Sequence, residues 1–269
     1  MNQIRTLLTL NAPVLRVLAV VLAGLMGAWP SALTAYSQPT AEERREGIEA
    51  LENNLPTPEQ AERKQRSLAI LEAEGVPYLE TLPVIESEEN SEIRPEEDVE
   101  FRALCLVIVA AKGEGVEQAV INQLVEDYGL AKYLTPDERA FIDNANPTQQ
   151  QRIDFLWRYE SAWVMMWALG FLDELPRPDT IADVPQLVGI VRDNSTESFQ
   201  EAAQLRPAAE LLDRADLIYR YNWAVTDARI NGREAPANLN GSVVYERHYS
   251  LNWLIGYFGQ DWDDVSTDT

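Results

Sequence analysis

Residues 147–172 read PTQQQRIDFLWRYESAWVMMWALGFL. Nothing in this stretch breaks a helix except Gly170, which a helix interior tolerates at a cost of about 1 kcal/mol relative to alanine. From Ser161 to Leu172 there is no charge, and Trp157, Trp163 and Trp167 fall around the helical circumference. A helix apolar on all sides must be enclosed by others. The stretch therefore predicts one helix from Pro147 to Leu172 at the centre of the domain, on which the remaining elements pack.

Working outward, the other segments also read as helices. Thr57-Pro58-Glu59-Gln60 combines a cap, a proline at the first helical position and a capping-box Gln, with Gly75 as the stop. Residues 76–94 hold two prolines and an acid run, which predict an extended crossing. Pro95 opens a helix whose first turn carries Glu96, Glu97 and Asp98, and whose Phe101–Ala111 portion is apolar nearly all round. Further helices are expected over 116–128 before Gly129, from the capping box at Thr135, near 184–191 and 197–204, over 207–230 and over 242–258. Alternating strand patterns are absent from the sequence. The fold class is all-α, a single globular domain of about eight helices.

The chain has 269 residues, 46% of them hydrophobic, enough for a substantial core. Its 44 acidic residues against 22 basic give a net charge of -22. Lys and Arg are scattered among acids, which excludes a nucleic-acid footprint. Such a charge also repels anionic membrane surfaces and favours cations or basic partners. The single Cys105, set among Leu and Val, reads as a core residue and not a nucleophile. Arg5 and Arg16 precede the apolar run Val17–Trp29, then Pro30 and small residues near Ala35 and Ser37, the pattern of a cleaved secretory leader over 1–35. Val17–Ala35 is 19 uncharged residues, so an uncleaved membrane anchor is the alternative. With the leader removed, 44 acidic and 20 basic residues remain, or -24. An acidic linker and short helix are expected over 36–56, and the helical domain over 57–269.

Several charged groups stand where chemistry or structure could use them. Arg206, Glu210, Asp213, Asp216, Arg220, Trp223 and Asp227 share one helical face, either solvated or meeting Arg158, Glu160, Glu246 and Arg247 in a buried network. Glu160 sits among Leu156, Trp163 and Trp167; paired with an arginine it is structural, and unpaired it is a candidate acid or base. The only histidine, His248, aligns with Val244, Leu251, Ile255 and Phe258, the apolar face. That favours a core histidine over a catalytic one, and no typical zinc set is available. Ser250 keeps a Ser-His-Asp triad open, although no GxSxG elbow occurs. Asp261, Asp263, Asp264 and Asp268 are weak metal candidates whose spacing is not that of an EF-hand, and a charged terminus is the simpler reading. The glycosylation patterns at Asn194 and Asn240 are at chance level.

The stretches LAILEAEGVP, WRYESAWVMMWALG, LLDRADLIYRYNWAVTDARING, VVYERHYSLNWL and WDDVSTDT, in this order, resemble the family called domain of unknown function 4272. The likeness spans about Glu62 to Thr269, and ERHYSLNWL and WDDVSTDT are its most specific parts. Matching positions are Trp157, Arg158, Glu160, Trp167, Asp213, Tyr219, Arg220, Trp223, Ala224, Glu246, Arg247, Asn252, Trp253, Trp262 and Asp263. Relatives often carry histidine where this chain has Asn222, which weakens any role for a second histidine beside His248. The resemblance implies a helical domain and no established activity. Two readings follow. The first is a non-enzymatic binding or interaction module acting outside the cytosol, with Arg158, Arg220, Arg247, Trp223 and Asn252 as binding candidates for a protein partner or small ligand and with no cofactor. The second is a small hydrolase using Glu160 or Glu246 as acid or base, Arg220 and Arg247 as anion clamps, and His248 in support.

Overall fold

The computed structural model describes residues 55–268, all within one compact unit. The expected leader over 1–35 and most of the linker lie outside these residues. Among the described residues there is no strand and no helix long and apolar enough to cross a membrane. The α-helices are α1 (Pro58–Glu74), α2 (Glu96–Glu114), α3 (Gln118–Asp127), α4 (Pro136–Asp143), α5 (Gln149–Leu156), α6 (Arg158–Ala168), α7 (Val184–Asp193), α8 (Thr196–Ala202), α9 (Ala208–Ile230) and α10 (Gly241–Leu254). Short 3-10 turns punctuate the loops, two of them after α10.

The centre differs from the single continuous helix expected over 147–172. That stretch begins at a capping box on Thr148, turns at Trp157 and ends at Ala168, giving α5 and α6. Two distant residues pack against the breaks. Gly113 of α2 brings backbone against backbone here, since a Cβ on it would lie 2.9 Å from the amide nitrogen of Leu156. At the other end Gly170 turns left-handed at φ 79°, and Arg206 caps α6 by donating to the carbonyls of Trp167 at 2.8 Å and Leu172 at 3.0 Å. The tryptophan-rich helix α6, buried from Tyr159 to Ala168, shares the centre with α2, buried from Val99 to Gly113. Successive packing then runs α2 on α6, α6 on α10, α10 on α9, and α9 on α1.

Helix α1 fixes the crossing segment that follows it. Its capping box is present as the sequence predicts, with Gln60 N–H donating to Thr57 Oγ1 at 3.2 Å and Thr57 N–H to Gln60 Oε1 at 2.9 Å. The side chains of Gln60, Arg63 and Lys64 share one face and donate to the carbonyls of Ile85, Glu86, Glu80 and Leu82 at 2.6–2.8 Å. An extended segment that pairs with no strand thereby has its backbone acceptors satisfied.

The last expected helix is also shorter. α10 stops at Leu254, and Phe258, placed by its spacing on the apolar face with His248, is instead 51% exposed in a turn with φ 53°. Gly256, at φ 72°, sits so close to the Glu92 backbone that helix cannot continue there. The chain returns through Trp262, which lies 5.4 Å edge-on to Trp253 and beneath the guanidinium of Arg102. The tail beyond it is held by buried amides, Asn252 Nδ2 donating to the Ser266 carbonyl at 2.9 Å and Asn222 Nδ2 to that of Thr267 at 3.1 Å.

Candidate functional site

The charged residues singled out by the sequence meet where α6 crosses α10. Helical spacing places Glu160 one turn before Val164 on the buried side of α6, and Arg247 on the facing side of α10. Arg247 reaches Glu160 Oε2 through Nε at 3.3 Å and Nη2 at 3.2 Å, and both residues are at most 3% exposed. The other oxygen, Glu160 Oε1, accepts the Ala182 N–H at 2.5 Å, and Arg247 Nη1 donates to the Pro176 carbonyl at 2.6 Å. Burial pushes the Glu160 carboxyl up and the Arg247 guanidinium down from their ordinary values, while each charge counters the shift of the other. Because an arginine in a protein keeps its proton, the pair is an ion pair.

A second pair comes from neighbouring residues of the same two helices. Arg158 donates to Glu246 Oε2 at 2.9 Å, and the Ser161 hydroxyl donates to the same oxygen at 3.0 Å. The Arg158 guanidinium stands over the rings of Tyr249 and Trp262 at 4.9 and 5.8 Å. Burial opposes its charge most strongly, but Glu246, Tyr249, Glu138 and Tyr245 together outweigh it and hold its pKa above the ordinary value. Beside it, Arg102 of α2 pairs with Glu138 of α4 at 2.7 Å in a wholly buried contact. Trp262 thus covers two arginines at once.

Arg220 does not join these pairs. It holds Asp216, one turn earlier on α9, through two bonds of 2.8 and 2.7 Å, and both residues are 1% exposed. The face that carries them is therefore buried in its middle and wet at its ends, where Glu210 and Asp227 pair with Arg206 and Arg233. Trp223 is half-buried and makes no hydrogen bond or ring contact among the described residues. Asn252 binds the tail, not an open cleft.

The remaining candidates are spent or sealed. His248 is 1% exposed, its ring 5.9 Å from that of Tyr219, and burial alone lowers its pKa to about 3. Ser250 gives its hydroxyl to the Glu246 carbonyl at 2.7 Å, so it forms no triad with His248. Burial pushes the Cys105 thiol up to about 12. Asp263 accepts the Asp137 N–H at 3.2 Å at the start of α4, and Asp261 precedes the turn that holds Trp262. No group of three or more His, Cys, Asp or Glu among the described residues is placed to hold a metal.

Two places that the sequence did not single out stand apart. Near Arg220, the segment 83–86 lays its carbonyls on Arg63 and Arg220, and buried polar atoms without hydrogen-bond partners gather: Glu86 Oε2, Arg220 Nη1 and His248 Nδ1. Burial raises the Glu86 carboxyl above its ordinary range, against the pull of its own amide and of Arg63. Its one sequence signal was the apolar pair Val84-Ile85 ahead of an acid run. The second place is a half-open depression between α1, α9, α10 and the 175–178 loop, with a volume of about 100 Å³. Arg247, from the buried pair, forms part of its lining.

No curated protein and no solved structure matches the chain. Residues 63–265, most of the chain, match the family described as domain of unknown function DUF4272, and they include every charged pair between α6 and α10 described above. The chain belongs to that family.

Proposed function

We propose that the protein is a non-enzymatic binding module whose characteristic charged residues brace the helical core. The observation that carries this reading is the closure of the α6–α10 pairs: Glu160 and Glu246 each have an arginine and a second donor, and His248 has no titration near neutral pH. A general acid or base needs a free proton site facing substrate, and these groups are spent on one another. Leader-like residues 1–35 support a place outside the cytosol, with the helical domain over 57–269 as the working part; an anchor retained over 17–35 is the alternative.

The test compares Arg220→Met and Glu246→Gln with wild type by urea denaturation. Arg220→Met strands Asp216 in the core and should cost about 3–5 kcal/mol. Glu246→Gln leaves Arg158, 22% exposed, without its counter-charge and should cost about 1–3 kcal/mol. Two variants as stable as wild type would sink the bracing role. An enzymatic reading has one observation in its favour, the buried and protonation-prone Glu86, whose Oε2 has no hydrogen-bond partner. Turnover of any ester or amide that disappears in Glu86→Gln, with folding intact, would replace the binding reading by that one.

A further inference from the structure

We infer that the depression between α1, α9, α10 and the 175–178 loop is a site for a small organic anion, a carboxylate or phosphate monoester carried on a compact apolar body. The inference rests on the binding-module reading and names its ligand class.

The charge of the lining runs against that of the whole molecule. Across the chain acids outnumber bases two to one, yet this depression is lined by Arg177, Arg214 and Arg247 against a single carboxylate, Glu74. Two of the arginines are committed. Arg177 donates to Glu74 at 2.8 Å, to Asp179 at 2.9 Å and to the Ala237 carbonyl at 2.6 Å, while Arg247 serves Glu160 and the Pro176 carbonyl. Glu74 is committed too, since Tyr221 donates its hydroxyl to the same carboxylate oxygen at 2.6 Å.

Arg214 is different. Among the described residues it makes no hydrogen bond and has no carboxylate within 4.0 Å, although it sits half-buried on α9 at the rim of the depression. Its five N–H donors suit a planar carboxylate or a phosphate oxygen pair. The fixed charges behind it, held by their own partners, do not need to reorganise when an anion arrives. An anion also leaves the one lining carboxylate with its existing donors, whereas a cation would compete for Glu74 with Arg177 and Tyr221.

The rest of the lining fits an apolar body. Leu217 and Ile218 form the wall on α9, Ile70 of α1 stands 38% exposed at the edge, and Pro176 and Pro178 form a lip whose backbone is stiffened by the proline rings. Convergent polar groups on a mostly apolar concavity are the usual make-up of a small-ligand site. A half-open volume of about 100 Å³ suits one ring or a short alkyl chain, not a polymer.

The experiment is a calorimetric titration of the full chain with three probes of one shape: phenylacetate, phenylacetamide and phenethylamine, at low salt. Phenylacetate should bind at least about tenfold more tightly than the amide, and the amine should not bind. Arg214→Gln should remove that tenfold advantage without shifting the urea midpoint, because Arg214 braces nothing. Equal binding of amide or amine would overturn the anion assignment while leaving a binding module in place. So would anion affinity unchanged in Arg214→Gln. Silence of all three probes in the folded protein would overturn the site itself, while the bracing role of Arg220 and Glu246 would still stand on its own denaturation test.

Discussion

His248 gives the sharpest quantitative consequence. The folded imidazole stays neutral down to about pH 3, because burial alone depresses it, whereas in the unfolded chain it takes a proton near 6.5. Between those values the unfolded state holds one more proton than the folded state. Acid therefore favours unfolding: stability fully present above pH 6.5 is lost as pH falls, at about 1.4 kcal/mol per unit. Between pH 7 and 5 the loss from this one residue should be about 2 kcal/mol. The carboxyls of Glu86 and Glu160 act in the opposite sense, since burial raises both and the folded protein binds their protons more tightly. Wild type alone would mix the two effects, so the measurement is a difference. Urea denaturation of wild type and His248→Gln at pH 7, 6.5, 6, 5.5 and 5 gives two stability curves in which the carboxyls cancel. The gap between them should close by about 2 kcal/mol from pH 7 to 5. His248 is the only histidine in the chain, so no other imidazole can imitate the result. A gap independent of pH would refute the dry, neutral imidazole and reopen His248 as a proton carrier.

Two further outcomes follow from the packing. Arg247→Met should cost about 3–5 kcal/mol by leaving Glu160 charged and buried, and adding Glu160→Gln should recover part of that loss; chemical denaturation of both variants checks it, and equal costs for single and double variants would contradict the pairing. Gly256→Ala should lower stability by about 3 kcal/mol or more, because φ is 72° and the new Cβ would press on the Glu92 backbone, whereas Gly232→Ala, at φ 65° with open space around it, should cost about 1–2 kcal/mol. Thermal melts that rank the two glycines the other way would contradict the close approach.

What the sequence discloses is the local part of this structure. Thr57, Thr135 and Gly75 mark helix ends because a cap is a bond between residues three or four apart, and all three stand where they were expected. The all-α class was legible for the same reason, since helical periodicity is read within a dozen residues. The turn at Trp157 was not, because the close approach of Gly113 beside it is a long-range contact, and neither was the end of α6, which Arg206 caps from 34 residues beyond Leu172. Candidate partners for Glu160 could be gathered from the sequence, but choosing Arg247 and not Arg158 needed the crossing of α6 and α10. Glu86 was lost among the acids of 86–92. Nothing in one sequence separates a carboxylate that turns inward from neighbours that turn to water.

Trp262 carries a consequence for truncation. This ring, 4% exposed, roofs Arg102 and Arg158 from a point seven residues before the end of the chain, and the tail past it is stitched down by Asn222 and Asn252. A chain cut before Trp262 keeps α1 to α10 but leaves the two arginines without a roof. Loss of Trp262 and the residues past it should therefore leave an open, aggregation-prone core even though every α-helix is intact.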